Sequence, residues 1–259
     1  MKRFSHKNGT WFKSNDADIY YEVTGDNTGR PLLLLHGGML NIESFNGMLS
    51  CLPDSFYFIG MDSRGHGAST FTDSLSYHSL CQDVEQLLAV LNVEKIDIIA
   101  HSDGGIVAMK LAESRPELVN SLVLIGAQWC LTDDDPAIKL YESITPEMWI
   151  EKFNDDVDYY HKINKQPRFN EFLLAVKAMW LDQSDNSYPK DKVKNIQCET
   201  LIIRGDDDFL VPCDHAVQLA EMINHAHFAN IPFCNHSVHE ENPALVSSLI
   251  MDFYQKLAL

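Results

Sequence analysis

Apolar residues along the chain gather into six short continuous runs, at 32–35, 56–61, 96–99, 122–125, 201–203 and 227–231. Runs of this length without polar alternation predict strands covered on both faces. Between most of them the apolar spacing turns helical, over 77–91, 106–114 and 214–223, and again over 243–257 after the last run. Strand and helix in alternation predict a mostly parallel sheet with helices on both faces. Two stretches depart from this rhythm. Residues 17–24 alternate and end at Gly25, and a polar turn over 26–30 precedes Pro31, a pattern that suggests an N-terminal edge hairpin. Residues 131–190 begin Asp-rich and then carry Trp149, Phe153, Tyr159, Tyr160, Phe169, Phe172 and Trp180 at helical spacings. They read as a helical cap inserted after a strand, with residues 1–130 and 191–259 forming one core.

Composition adds boundaries to this picture. A chain of 259 residues with 45% hydrophobic content can bury one large core. The net charge of −17 is spread without long acidic runs, which argues against nucleic acid or an anionic membrane as partner. A neutral or cationic small molecule fits better, taken up by a monomer or homodimer. The first 13 residues contain no apolar targeting core, and no apolar run approaches the roughly 18 residues that span a bilayer, so the expected location is cytoplasmic. Six cysteines without a C-x-x-C pair are expected as reduced thiols.

The chemistry centres on 96–110, I-D-I-I-A-H-S-D-G-G-I-V-A-M-K, which reads as strand, sharp turn and helix with Ser102 on the turn. Such a turn lifts a serine hydroxyl above the sheet edge only if the residues two before and two after are small, as Ala100 and Gly104 are. The competing role for Ser102 is that of a helix cap. A reacting serine needs a histidine base, and that histidine needs a carboxylate. After the run 201–203 come Asp206, Asp207 and Asp208, any of which could serve. After the run 227–231 comes N-H-S-V-H-E, where His236 in the loop is preferred over His239 nearer the next helix. The H-G-G after 32–35 can supply a backbone donor to an oxyanion, with the N–H groups of Gly38 and Asp103 as the expected pair. D-S-R-G-H-G at 62–67 lacks the spacing of a phosphate loop and reads as structural. No metal or cofactor site is expected.

Taken together, H-G-G, D-S-R-G-H-G, A-H-S-D-G-G, G-D-D-D-F-L-V-P and N-H-S-V-H-E resemble the α/β-hydrolase superfamily, which implies an α/β-hydrolase fold. In that family the acid lies three residues after the glycine of a G-x-x-D-x-x-x-P segment and the histidine opens an H-x-x-H segment. The resemblance therefore implies Asp208 and His236 as partners of Ser102. A narrower likeness is to the valacyclovir-hydrolase-like (biphenyl-hydrolase-like) serine esterases, carried by S-D-G-G, L-T-D-D-D, the W-x-D at Trp180 and the segment 196–202. It implies hydrolysis of small carboxylic esters, including amino-acid esters, with Asp103 holding a substrate ammonium. Asp103, Trp129 and Trp180 are the expected substrate-contacting residues. Ala100 and His101 depart from that family, which has glycine and tryptophan there. A C–C bond hydrolase, a perhydrolase or a non-catalytic receptor on the same fold are the alternatives.

Overall fold

The structure is a computed structural model and describes residues 3–257; the outermost positions of the expected core, 1–2 and 258–259, lie outside it. Eight strands form one sheet: β1 (Thr10–Ser14), β2 (Ala17–Gly25), β3 (Arg30–Leu35), β4 (Phe56–Met61), β5 (Ile96–His101), β6 (Val119–Ile125), β7 (Glu199–Gly205) and β8 (Ala226–Ile231). The helices are α1 (Asn46–Leu49), α2 (Tyr77–Val90), α3 (Asp103–Ser114), α4 (Ala137–Ser143), α5 (Pro146–Lys152), α6 (Asn154–Ile163), α7 (Phe169–Leu181), α8 (Cys213–Met222), α9 (Val238–Glu241) and α10 (Pro243–Leu257). The sheet order is β1-β2-β4-β3-β5-β6-β7-β8, parallel from β4 onward.

The continuous apolar runs are explained by burial on both faces. Leu33, Leu35, Ile98, Leu122 and Leu124 join one core with α2, α3 and α8, while Leu32, Leu34, Ile99, Val123 and Ile125 join a second core with α1, α9 and α10. Successive strand residues point to opposite sides, so both parities must be apolar. All six strand runs and all four helical stretches read from the pattern are present.

The N-terminal hairpin has a different partner from the one its turn signal suggests. β2 pairs antiparallel with β1 on one side and with β4 on the other, not with β3, which follows the polar turn. The hairpin bend falls at Asn15, in left-handed backbone at φ 52°. The strand Thr10–Ser14 carries too little alternation to stand out in the sequence.

Helices α4 to α7 lie between β6 and β7, and polar and cation–π contacts tie the link between α6 and α7 to the core. The Asn164 side chain donates to the carbonyls of Gly67 at 2.9 Å and Ser69 at 2.8 Å. Lys165 Nζ sits 3.3 Å from the centre of the Trp11 ring, and the Arg168 guanidinium packs over Phe71. The D-S-R-G-H-G loop is structural: Asp62 accepts the N–H groups of Ile42 and Ala68, and Arg64 pairs with buried Asp83.

His6 ties this region together. Its Nδ1 contacts Glu43 and its Nε2 contacts Asp62, each at 2.8 Å, and Tyr159 of α6 donates to the same Glu43. Two carboxylates on two ring nitrogens require both to carry protons. Burial opposes that charge, but the bonds to Asp62 and Glu43 outweigh it and raise the pKa from 6.5 to about 9. The group therefore stabilises the fold fully below pH 6.5, and that contribution is lost as pH rises through about 9. Resistance of wild type to urea is expected to fall progressively between these limits, and His6→Gln to flatten the decline. Parallel pH profiles for the two proteins would refute the role given to His6.

Candidate active site

Three strand ends converge on Ser102. Its N–H donates to the Ile125 carbonyl of β6 at 2.9 Å, and its own carbonyl accepts the N–H of Gly105 at 2.8 Å, the first bond closing α3. Between these anchors the residue is forced to φ 50°, ψ −116°. Small neighbours make this feasible. A Cβ at Gly104 would lie 2.2 Å from the Leu35 carbonyl oxygen, and one at Gly105 would lie 2.5 Å from the Ala127 Cβ. The Gly104 N–H also donates to the His36 carbonyl at 3.1 Å, which joins the turn to the H-G-G loop after β3.

The structure brings Ser102, His236 and Asp208 into one hydrogen-bonded series. Ser102 Oγ lies 2.9 Å from His236 Nε2, and His236 Nδ1 lies 3.0 Å from both Asp208 carboxylate oxygens. Gly126, at φ 54°, leaves room for the ring, since a Cβ there would stand 3.1 Å from His236 Nδ1. Burial alone would push the Asp208 carboxyl up, but bonds from His236 and from the N–H groups of Val211 and Leu210 hold it below the usual range. Asp206 and Asp207 are exposed, whereas Asp208 is buried. His239 packs its ring 4.5 Å from His101 and 5.2 Å from Phe45, and burial drives its pKa down to about 3. His36 accepts the Ser63 N–H and contacts the Gly37 carbonyl, a loop-bracing role.

Above Ser102 opens a cavity of about 370 Å³ walled by Leu140, Ile144, Met148, Trp149, Phe209 and Leu210. That volume lies within the range of small-ligand sites. Gly38 and Asp103 both border it beside Ser102. The Gly38 backbone abuts the Asp103 side chain, since a Cβ at Gly38 would fall 2.4 Å from Asp103 Oδ2. Asp103 opens α3, so its N–H has no acceptor within the helix and can face a ligand.

The Asp103 side chain is buried beneath the cavity and takes the Tyr77 hydroxyl on Oδ1 and the Trp180 indole N–H on Oδ2, both at 2.8 Å. Burial raises its pKa against these two bonds. Trp180 lines the cavity. Trp129 corrects the expectation: its ring stacks on His215 and its indole N–H donates to the His215 carbonyl, so it does not line this cavity. Tyr77 was not identifiable in the sequence, where it is only the first residue of a helix. Among the described residues no group of three or more His, Cys, Asp or Glu is arranged to hold a metal, and no helix is long and apolar enough to cross a membrane.

The family model for the alpha/beta hydrolase fold matches residues 30–169, more than half of the chain. The chain belongs to the alpha/beta hydrolase family. It is 26% identical to the serine hydrolase BPHL of Homo sapiens, over 93% of this chain and 84% of that protein. It is 27% identical to the proline iminopeptidase PfmaB of Pestalotiopsis fici, over 93% of this chain and 98% of that one. Among solved structures, a meta-cleavage product hydrolase from Pseudomonas fluorescens superposes with a TM-score of 0.81 at 20% identity, covering 98% of this chain and 100% of that one. The protein is thus a hydrolase.

For this hydrolase the geometry separates the three acidic neighbours after β7. Asp208→Asn is expected to lower kcat by roughly 10⁴-fold, because an amide cannot fix the tautomer of His236 or stabilise its imidazolium. Asp206→Asn and Asp207→Asn should stay within a few-fold of wild type. Steady-state kinetics on an activated ester checks this, and a larger loss at Asp207 would overturn the assignment.

Proposed function

We propose that this hydrolase is a serine esterase that cleaves small carboxylic esters through an acyl-enzyme. The observation that carries this reading is the 2.9 Å contact between Ser102 Oγ and His236 Nε2 at the floor of the apolar cavity. In the proposed reaction Ser102 attacks the ester carbonyl as His236 takes its proton, and Asp208 holds the Nδ1–H side of the ring. The N–H groups of Gly38 and Asp103 receive the developing oxyanion. His236 then returns the proton to the departing alcohol. Water deacylates the serine by the same steps in reverse order. Residues 131–190 act as the cap over this site, with 1–130 and 191–259 as the core. The free thiols of all six cysteines support a reducing, cytoplasmic setting. The relative named serine hydrolase BPHL adds weight to the serine chemistry.

Asp103 narrows the substrate class. Its two partners, a phenol and an indole, are neutral, so the buried carboxylate lacks a counter-charge from either. An ammonium on the acyl group of an amino-acid ester would supply one. A charge-assisted bond of this kind contributes about 1.5–3 kcal/mol, or roughly tenfold to a hundredfold in kcat/KM.

A fluorophosphonate probe is expected to label wild type and not Ser102→Ala, with ester turnover falling by as much as about 10⁶-fold in that variant. Unlabelled wild type would point instead to a receptor on this fold. For Asp103, the comparison is an amino-acid ester against its des-amino analogue. Wild type should prefer the amino ester by at least about tenfold, and Asp103→Asn should erase that preference. Equal rates in wild type would leave Asp103 with a structural role alone.

A further inference from the structure

A second histidine lies against His236 and has no part in the proton transfers above. His101 ends β5, immediately before Ser102, and is 1% exposed. Its ring centre lies 5.0 Å from that of His236, and its Nε2 is 3.2 Å from the main-chain carbonyl oxygen of His236. Its Nδ1 abuts the H-G-G loop so closely that a Cβ at Gly37 would come within 2.6 Å. Among the described residues Nδ1 has no hydrogen-bond partner. A carbonyl oxygen can only accept, so the ring proton belongs on Nε2 and is donated to His236. Burial, reinforced by His239 and His236, keeps His101 neutral.

We infer that His101 is a positioning residue whose Nε2–H clamps the main chain of His236, holding that imidazole between Asp208 and Ser102. His236 stands in the connection between β8 and α9, three residues after Phe233, which is 90% exposed at φ 63°. Before His236 that connection is tied by the Asp207 N–H to the Cys234 carbonyl and by the Asn235 N–H to Glu241, each at 2.9 Å, and after it the Ser237 carbonyl accepts the Glu240 and Glu241 N–H groups. None of these bonds acts on the main chain of His236 itself. His101 and Ser102 are consecutive, so one rigid strand end carries both the nucleophile and the clamp on its base. Motion of the outer loop then leaves the distance between Ser102 and His236 unchanged. The requirement for Gly37 follows from the same fit, because any side chain there would displace the ring that makes the bond.

The inference rests on reading Ser102 and His236 as nucleophile and base, and three substitutions test it. In His101→Gln the amide nitrogen reaches the place of Nε2 and can still donate. In His101→Asn it stops near the level of Nδ1, and His101→Leu has no donor. The readouts are kcat and KM on p-nitrophenyl butyrate and the downfield proton NMR signal of the hydrogen bond between His236 and Asp208, assigned by its loss in Asp208→Asn. Asn and Leu should lower kcat about tenfold to a hundredfold with KM within about threefold, and should broaden or abolish the signal. Gln should recover most of both. If Leu does not fold, Asn carries the comparison. Wild-type kcat and signal in Asn, or a Gln variant as impaired as Asn, would overturn the inference. The NMR comparison needs no turnover, so a wild-type protein that neither labels nor hydrolyses esters would refute the esterase reading while the signal still decides the clamp.

Discussion

The backbone of Ser102 occupies a left-handed conformation that costs a residue with a side chain about 1–3 kcal/mol, and the packing around it is what holds it there. The strain is distributed over three parallel strands. β6 accepts the Ser102 N–H, α3 donates to its carbonyl, and the loop after β3 accepts the N–H of Gly104. None of these bonds could form if Gly104 carried a Cβ, because the Leu35 carbonyl occupies that space. From this one constraint follow the elevated hydroxyl, the free N–H at Asp103 and the proximity of Gly38. The sheet order puts β3 and β6 on either side of β5, and that adjacency assembles the three contributions.

Around this turn the protein places titratable groups in opposed environments. Asp208 receives a histidine and two backbone N–H groups, which outweigh its burial and keep it ionised. Asp103 is also buried but receives only a phenol and an indole, and its carboxyl is pushed up. His101 and His239 are kept neutral by burial. His236 is thus the ring in this cluster with both a carboxylate on one nitrogen and a hydroxyl on the other. A pattern in which neighbours are driven apart in protonation is how a fold assigns distinct roles to chemically similar groups.

Much of this was legible in the sequence, and the residues that were not share a physical reason. Buried parallel strands announce themselves as short apolar runs, and a strained serine turn demands small residues at fixed offsets, so β3 to β8, Ser102, Ala100 and Gly104 could be read locally. Among Asp206, Asp207 and Asp208 the residues alone gave no choice; the family spacing did, and the structure then showed Asp208 as the buried one at His236. The pairing of β2 with β4 was hidden because strand order is set by long-range packing, not by the turn that follows β2. Trp129 was expected among the substrate-contacting residues. It turned instead onto His215, whose ring offers it a stacking face and whose backbone takes its N–H. Tyr77 is 26 positions from Asp103, and nothing in a helix start reveals that its hydroxyl will meet a carboxylate.

The helices between β6 and β7 are buried to unequal extents. α6 and the connection to α7 are bonded to the core through Tyr159, Asn164, Lys165 and Arg168. By contrast α5 buries none of its residues and α4 only Ala137 and Tyr141. Yet α4, α5 and the link between them provide Leu140, Ile144, Met148 and Trp149 to the cavity wall. Segments with few buried contacts open at lower free energy than those in a core. The polar floor with Ser102, Asp103 and His236 is built on strand ends and α3, while the apolar wall is carried on weakly buried helices. The wall and the floor meet at Trp180, which stacks on Tyr141 of α4 and donates to Asp103, so substitutions at Leu140 and Met148 can alter the fit of a ligand while leaving that link intact.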